Sequence, residues 1–384
     1  MRGSRLRIVL RRGFALALLA ALGAVAWFLF VRDSGDDGRE RTRIPGVSAK
    51  AGELVRGLDR AGQVDQVLLF GFDGTDATAP IVAEVRERQL GGVLVGSQNG
   101  ASPELMTALA RAGRSGGRIP PLLVAAQEGG VYRAFEDLPP AERAIDIGDL
   151  ASAERAQAWG AETAQALADA GFDVDLFPVA DVATLDSPLG GRAFSDDSLL
   201  TAELTAAALR GCQDAELACA PLHFPGLGAA SQDVVDGPAT VGLDAASLEA
   251  RDLEPFRAAI AERAPAIVLS LALYSAYDAV TPGALAPEVA DELLRGKLGF
   301  KGVAITDDLG AGAVKATYRV PDAAVAALRA GADLLQVASA DDQRRVRDVV
   351  LAAVSSGELP AERLAEAAGR VLDLKRELGL IPEA

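Results

Sequence analysis

The feature that most constrains the fold is a regular alternation of short apolar segments with longer Ala-rich amphipathic segments, which begins near residue 64. Short segments rich in β-branched residues and Leu predict buried strands, and the amphipathic segments predict helices. The predicted strands are 67–72, 92–95, 122–125, 174–177, 218–223, 267–273, 303–306 and 334–337. The predicted helices are 76–89, 103–113, 151–170, 197–211, 246–263, 284–296, 321–330 and 341–355, followed by an outer helix, 361–378.

Eight strand–helix units favour one α/β domain, a closed (β/α)8 barrel of the TIM type, over an open doubly wound sheet. No glycine-rich turn of the dinucleotide-binding type follows the first strand, which also argues against the open sheet. In such a barrel the chemistry lies on the loops at the carboxyl ends of the strands.

Polar residues gather in those loops. They are Gln127 and Glu128 after the third strand, Asp181 and Arg192 after the fourth, His223 after the fifth, and Asp307 and Asp308 after the seventh. Each residue alone has a structural explanation, because an Asp can cap the following helix and Glu128 can pair with a nearby Arg. Their convergence favours a functional site, and we expect Gln127, Arg192, His223 and Asp307 on one rim of the barrel.

Composition excludes several other kinds of site. The chain has one His and two Cys, so a zinc site built from several His and a Cys-rich metal site are both excluded, and no metal or cofactor is predicted. Cys212 and Cys219 are expected to be buried core thiols, although an oxidising compartment would permit a disulfide. The net charge of −16 argues against nucleic-acid binding, which needs clustered positive charge.

The N-terminal region predicts a membrane anchor. Residues 13–31 form a run of 19 residues without a charge, which as a helix is about 28 Å long and matches a hydrocarbon core. Five Arg precede it, so residues 1–12 are expected to be a basic cytoplasmic tail. Residues 32–47 then form a linker, and residues 48–384 form an extracytoplasmic barrel domain on a single-pass protein of the cell membrane. A signal peptide cleaved near Ala24–Ala26 is the alternative.

Short motifs occur in order from about residue 64 to residue 380. They include Gly71-Phe72-Asp73-Gly74, Gln127-Glu128-Gly129-Gly130, Phe177-Pro178-Val179-Ala180-Asp181, Arg192-Ala193-Phe194, His223-Phe224-Pro225-Gly226, Gly299-Phe300-Lys301-Gly302-Val303, Ile305-Thr306-Asp307-Asp308-Leu309 and Ala330-Gly331-Ala332-Asp333-Leu334. Together they resemble the barrel domain of glycoside hydrolase family 3, in particular its single-domain β-N-acetylglucosaminidase (β-N-acetylhexosaminidase) branch.

The resemblance implies roles for the polar residues of the rim. It makes Asp307 the nucleophile of a retaining mechanism, in which a carboxylate attacks the anomeric carbon. It also makes Asp181, Arg192 and His223 substrate-binding residues. The residues themselves leave alternatives open, because His223 fits a hydrogen-bonded structural histidine and Asp307 fits a helix cap or an ion-pair partner of Arg192.

The resemblance breaks at the proton donor. In this branch an Asp-x-His pair on the loop after the fifth strand supplies a His as acid and base, but here Asp233 is followed at that position by Val235. A valine cannot transfer a proton. Ala126, Leu222 and Leu227 likewise stand where the family has Asp, Lys and His, and the His usual after the sixth strand is also missing.

These departures lead to three hypotheses. The first is a membrane-anchored, degenerate family member that acts on or binds N-acetylglucosamine-containing cell-wall glycan, with hydrolysis weak or lost. Its ligand is then a glycan or an amino sugar, and whether it has a protein partner stays open. The second is an active glycosidase or glycan phosphorylase of altered specificity, with Glu128 or Asp308 as the replacement proton donor. The third is a non-catalytic scaffold or a barrel that binds a different small molecule.

Overall fold

The computed structural model describes residues 44–381, so the predicted basic tail, the membrane anchor and most of the linker lie outside the described residues. Within that range no helix is both long enough and apolar enough to cross a membrane. The chain forms one compact unit from Gly46 onward.

Eleven short strands occur in residues 44–381. They are β1 (Leu68–Phe70), β2 (Gly92–Leu94), β3 (Leu122–Ala125), β4 (Val174–Asp175), β5 (Ala218–Cys219), β6 (Thr240–Val241), β7 (Ala266–Leu269), β8 (Leu273–Tyr274), β9 (Asp278–Pro282), β10 (Val303–Thr306) and β11 (Leu335–Val337). Eight of them, all except β6, β8 and β9, match the predicted barrel strands, and several are shorter than predicted.

The eight strands pair in parallel and in chain order. Six form one sheet in the order β11-β1-β2-β3-β4-β5, and β7 pairs with β10. Parallel bridges between Phe224 and Leu269 and between Ile305 and Leu334 connect these two groups and close the ring. The predicted TIM-type parallel barrel is therefore confirmed.

Helices alternate with the barrel strands. They are α1 (Ala49–Gly57), α2 (Arg60–Asp65), α3 (Pro80–Glu87), α4 (Pro103–Gly113), α5 (Ala144–Gly148), α6 (Ala153–Asp169), α7 (Ser198–Asp214), α8 (Ala245–Ser247), α9 (Leu253–Ala261), α10 (Gly312–Lys315), α11 (Val320–Ala330), α12 (Ala340–Ser356) and α13 (Ala361–Glu377). Wider π-helical turns cover Leu248–Asp252, between α8 and α9, and Glu288–Lys297.

Local sequence explains where the helices begin. The Ser102 side chain accepts a hydrogen bond from the backbone N–H of Leu105, and Pro103 starts α4, where its missing N–H costs nothing. Asp197 caps α7 in the same way. Helical segments occur at all nine predicted positions, but 246–263 is divided into α8, a π-helical turn and α9, 284–296 is the π-helical segment Glu288–Lys297, and 76–89 is shortened to Pro80–Glu87.

The barrel interior is filled in layers because alternate residues of a strand point to the same side of the sheet. One buried layer includes Val124, Ala220, Val268 and Ile305. Two positions further along each of these chain segments lie Ala126, Leu222, Ser270 and Asp307. The strand period therefore places Asp307 at the mouth of the barrel, above an apolar core.

Some elements were not predicted. Helices α1 and α2 precede the barrel, and β6, β8 and β9 form a small separate sheet beside the loop that follows β5. The first two of these strands are two residues long, which is too short for an alternating pattern to be read from the sequence.

The expectation of two free thiols is wrong, because Cys212 and Cys219 form a disulfide. Helix α7 ends at Asp214, and a short turn returns the chain to β5, so the two Cα atoms lie 6.2 Å apart. That distance is within the range that a disulfide spans. The spacing of the two Cys in the sequence did not indicate the turn that brings their Cα atoms to this distance.

Candidate active site

Asp307 occupies the carboxyl end of β10. Its backbone N–H donates to the carbonyl of Leu269 at 3.1 Å, which continues the pairing of β10 with β7. Its side-chain Oδ1 accepts a hydrogen bond of 2.7 Å from the backbone N–H of Asp308. The carboxylate is partly exposed and so is open to a ligand at the mouth.

Arg192 is held by a bidentate ion pair with Glu128. Its Nε and Nη2 donate to the two carboxylate oxygens of Glu128 at 2.6 and 2.8 Å. Burial has the largest single effect and lowers the pKa of Arg192, but the charge and the hydrogen bonds of Glu128, together with the charges of Asp181 and Asp307, outweigh it, so the pKa is raised. Arg192 is therefore a fixed positive charge in the rim.

His223 is buried and both ring nitrogens have partners. Nδ1 lies 2.8 Å from Oδ2 of Asp181, and Nε2 lies 3.2 Å from Nη2 of Arg192. A guanidinium can only donate, so Nε2 accepts and the ring proton is on Nδ1, where it is donated to Asp181. Asp181 also accepts from the backbone N–H of Leu227 at 2.6 Å, which fixes its orientation.

The charge state of His223 depends on two opposed effects. Burial has the largest single effect and lowers its pKa, but the charge and the hydrogen bond of Asp181, with the charge of Asp307, leave the pKa above the usual value. The nearby Arg192 lowers this pKa and Asp307 raises it. Protonation would place two donors face to face and so break the contact of His223 with Arg192.

Four of the predicted site residues therefore lie together. Asp181, Arg192 and His223 are connected by direct contacts, and Asp307 is close enough to affect the pKa values of Arg192 and His223.

The predicted rim residue Gln127 has a different environment. It is fully buried, and its side-chain amide bonds the backbone of Phe135, Leu138 and Pro139 at 2.9 to 3.2 Å. These hydrogen bonds stabilise the conformation of the loop after β3. Gln127 is thus a structural residue of the rim and does not present its amide to a ligand.

The loop after β5 brings Val235 next to the segment that follows Asp307. The carbonyl oxygens of Val234 and Val235 accept hydrogen bonds from Ala313 and Gly312 at 2.9 and 3.1 Å. Asp233 Oδ1 accepts from the backbone N–H of Val235 at 2.9 Å. Val235 is 68% exposed, so the position that the resemblance assigns to a proton donor faces solvent and carries an aliphatic group.

The two proposed replacement donors are both engaged. Both oxygens of Glu128 are bound by Arg192. Asp308 Oδ1 accepts from the backbone N–H groups of Gly310 and Ala338, each at 3.0 Å, which ties together the loops after β10 and β11. Burial raises the pKa of Asp308, and these backbone donors partly offset that shift.

Tyr132 is a neighbour of the site that sequence reasoning missed. The Arg192 guanidinium carbon lies 5.9 Å from the centre of its ring, and the side chain is 40% exposed. The turn Gly130–Tyr132 presents it at the rim. Its position two residues after the Gly129-Gly130 pair, in a predicted rim loop, was the signal that could have identified it.

We find no second candidate catalytic site among the described residues. A cavity of about 540 Å³ lies at the opposite end of the barrel, beside the Cys212–Cys219 disulfide, and is lined by Ala218 and Pro265 near the amino ends of β5 and β7. Within residues 44–381 no three His, Cys, Asp or Glu side chains are grouped as a metal site requires.

Comparison with known proteins identifies the family. The model of the glycosyl hydrolase family 3 N-terminal domain matches residues 58–374. A β-hexosaminidase of Stenotrophomonas maltophilia (strain K279a) is 33% identical over 325 residues, which cover 82% of this chain and 91% of the relative. A β-hexosaminidase of Xylella fastidiosa (strain M12) is 32% identical over 278 residues, which cover 71% of this chain and 83% of the relative.

Solved structures give the same result. A glycoside hydrolase family 3 β-N-acetylglucosaminidase from Paenibacillus sp. str. FPU-7 matches with a TM-score of 0.80 and 30% identity, covering 85% of this chain and 64% of that one. A β-N-acetylhexosaminidase from Beutenbergia cavernae DSM 12333 matches with a TM-score of 0.74 and 28% identity, covering 83% of this chain and 99% of that one. The family match spans most of the chain, and the chain therefore belongs to glycoside hydrolase family 3.

Proposed function

We propose that this chain binds a β-linked N-acetylglucosaminide of the cell wall at the rim that carries Asp307, and that it hydrolyses natural glycosides weakly or not at all. The observation that carries the proposal is the pairing of a retained carboxylate with a lost proton donor. Asp307 lies open at the mouth beside Arg192 and His223, whereas position 235 is an exposed valine. The β-hexosaminidase relatives support the class of sugar.

The missing donor has a defined chemical consequence. In a retaining mechanism one carboxylate attacks the anomeric carbon while an acid protonates the departing oxygen. Loss of a general acid typically costs about 10²- to 10⁴-fold in rate, and the cost falls on substrates whose leaving group is a poor one. Since Arg192 binds both oxygens of Glu128, that carboxylate is not available as a replacement without breaking the ion pair.

The test compares two leaving groups on the purified full-length protein. An aryl β-N-acetylglucosaminide, whose phenolate leaves without protonation, should react slowly and depend on Asp307. A methyl β-N-acetylglucosaminide should bind without being cleaved. Asp307→Asn should abolish the reaction with the aryl substrate while binding of the methyl glycoside persists.

Efficient cleavage of the methyl glycoside would contradict the proposal and favour an active glycosidase with a replacement donor. The raised pKa of Asp308 makes that residue the candidate, and Asp308→Asn should then remove the activity on the methyl glycoside selectively. Absence of both binding and reaction would favour the scaffold hypothesis.

We further propose that the barrel is extracytoplasmic and anchored through residues 13–31. The uncharged segment with five preceding Arg supports this orientation. The Cys212–Cys219 disulfide supports it independently, because disulfides persist in oxidising compartments and are rare in the cytosol. External protease should digest the barrel in intact spheroplasts, and protection of the barrel would contradict the orientation.

A further inference from the structure

Gln336 is a buried polar residue in the wall of the barrel that the sequence did not indicate as a site residue. It is the middle residue of β11 and is 8% exposed. Its side-chain Oε1 is buried and has no hydrogen-bond partner among residues 44–381. A buried polar atom without a partner destabilises the folded state, so a glutamine at this position needs an explanation.

The pairing of β11 shows that the Gln336 side chain points into the barrel. Gln336 is paired with Leu69 of β1, and Leu69 belongs to the buried cluster that fills the barrel interior. Paired residues of neighbouring strands lie on the same face of the sheet. Leu334, two residues before Gln336, belongs to the same cluster. Gln336 therefore lies on the inward face of β11, one layer nearer to the mouth than Leu334.

Asp307 is the neighbour of Gln336 on the adjacent strand. A parallel bridge joins Ile305 to Leu334, and Asp307 and Gln336 each lie two residues further towards the mouth. The contact between the two chain segments continues there, because the backbone N–H of Leu309 donates to the carbonyl of Gln336 at 3.0 Å. Neighbouring strands are about 5 Å apart. A ligand bound to the Asp307 carboxylate is therefore within reach of a glutamine side chain at position 336.

Asp175 provides a contrast to Gln336. Its Oδ2 is also buried and also has no hydrogen-bond partner in the described part of the chain. Asp175 directly follows Val174, a member of the interior cluster, so it lies on the outward face of β4, towards the helices. A ligand at the mouth cannot contact it. Gln336 combines an unpartnered polar atom with a position on the inward face beside Asp307.

We propose that Gln336 is a sugar-binding residue whose side-chain amide hydrogen-bonds a hydroxyl or acetamido group of the sugar unit held at Asp307. This inference rests on the proposed function, because it takes an amino sugar at Asp307 as the ligand. The amide has a donor and an acceptor, and the terminal torsion of a glutamine is broad, so either group can turn towards the ligand.

The retaining mechanism indicates which part of the ligand Gln336 contacts. The nucleophile attacks the anomeric carbon on the face opposite to the leaving group. The leaving group therefore points away from Asp307, whereas Gln336 lies beside Asp307. The contact is made to the sugar unit that is attacked and not to the group that departs.

The test is calorimetric titration of the full-length protein with two ligands, methyl β-N-acetylglucosaminide and free N-acetylglucosamine. Gln336→Met keeps the length of the side chain but removes its amide, and it should bind both ligands about 10-fold more weakly than wild type. The midpoint of thermal unfolding should be unchanged or higher, because the variant buries no unpartnered amide. Gln336→Asn withdraws the amide by one methylene and should also weaken binding, which keeps the test valid if the Met variant does not fold.

Gln63→Met is the matched control. Gln63 is 9% exposed and so is similarly buried, but its Nε2 donates to the carbonyl of Val55 at 2.9 Å. It lies on α2, which precedes β1 and so is at the end of the barrel opposite to the mouth. Gln63→Met should lower the midpoint of thermal unfolding and leave the affinity for both sugars unchanged.

The outcomes separate this inference from the proposed function. If wild type binds the sugars and Gln336→Met binds them equally well, Gln336 is not a sugar-binding residue while the proposed amino-sugar site stands. A loss of thermal stability as large as that of Gln63→Met, or an effect on the methyl glycoside alone, would also overturn the inference. If wild type binds neither sugar, the proposed function fails and the inference fails with it.

Discussion

Restoring a histidine at position 235 should restore acid catalysis. The Val235→His side chain would replace one that is 68% exposed, so the larger ring enters solvent and not a packed core. The loop backbone is already held against Gly312 and Ala313 by two hydrogen bonds. Asp233 lies two residues earlier, and its Oδ1 accepts a hydrogen bond from the backbone N–H of Val235. The second carboxylate oxygen of Asp233 is the partner for the new imidazole.

The expected gain follows from the chemistry of the leaving group. A positioned general acid contributes about 10²- to 10⁴-fold in rate, equivalent to about 3 to 5 kcal/mol of barrier. The gain should be largest for the methyl β-N-acetylglucosaminide and much smaller for an aryl glycoside, because a phenolate needs little protonation. The pH profile of the variant should also acquire a limb near the ordinary histidine pKa of about 6.5.

The assay is kcat/KM for a series of leaving groups with wild type, Val235→His and two controls. Val280→His is the matched control, since Val280 is 77% exposed but lies on β9, outside the loop that follows β5. Adding Asp307→Asn to Val235→His should remove the gain. Equal gains on methyl and aryl substrates, or the same gain from Val280→His, would refute the reasoning.

Three further predictions concern stability and the rim. Reduction of the Cys212–Cys219 disulfide, or its replacement by a pair of Ser, should lower the free energy of unfolding by about 2 to 3 kcal/mol, as estimated for a closed loop of this length. Urea unfolding measures this loss of stability, and an unchanged midpoint would contradict the prediction. Burial raises the pKa of Asp175 from 3.8 to about 7, so the native state holds its proton more tightly than the unfolded state. The contribution of Asp175 to stability should therefore be fully present below pH 3.8 and be lost as the pH rises towards 7, by at most about 4 kcal/mol. Asp175→Asn should remove this contribution to the pH dependence of thermal unfolding, and an unchanged slope in the variant would count against it. Arg192→Lys should weaken sugar binding about 10-fold or more, because a lysine cannot pair with both oxygens of Glu128 while contacting His223. Unchanged binding in calorimetry would show that Arg192 has only a structural role.

Much of the fold could be predicted because the signals for it are local. The barrel strands are short buried runs of mostly aliphatic residues, and some of the following helices also have a side-chain cap, as at Ser102 and Asp197. The period of two within strands also places Asp307 correctly at the mouth, since it depends only on counting from Ile305.

The contacts within the site could be predicted only in part. The sequence indicated that Glu128 could pair with an Arg, but the choice of Arg192 depends on how the loops after β3 and β4 fold over each other. The neutral tautomer of His223 follows from Arg192 lying at its Nε2, a contact between residues 31 positions apart. The Cys212–Cys219 bond likewise depends on the turn after α7.

The most direct measurement of the central claim is mass spectrometry of the full-length protein after incubation with an aryl β-N-acetylglucosaminide. With Asp307 present and no proton-transferring group at position 235, the sugar should attach slowly but leave more slowly still, because the water that releases it also lacks a base. A stoichiometric burst of phenol and a covalent sugar on the peptide that contains Asp307 are the predicted result. Steady release of phenol with no adduct in wild type, unchanged by Asp307→Asn, would contradict the account.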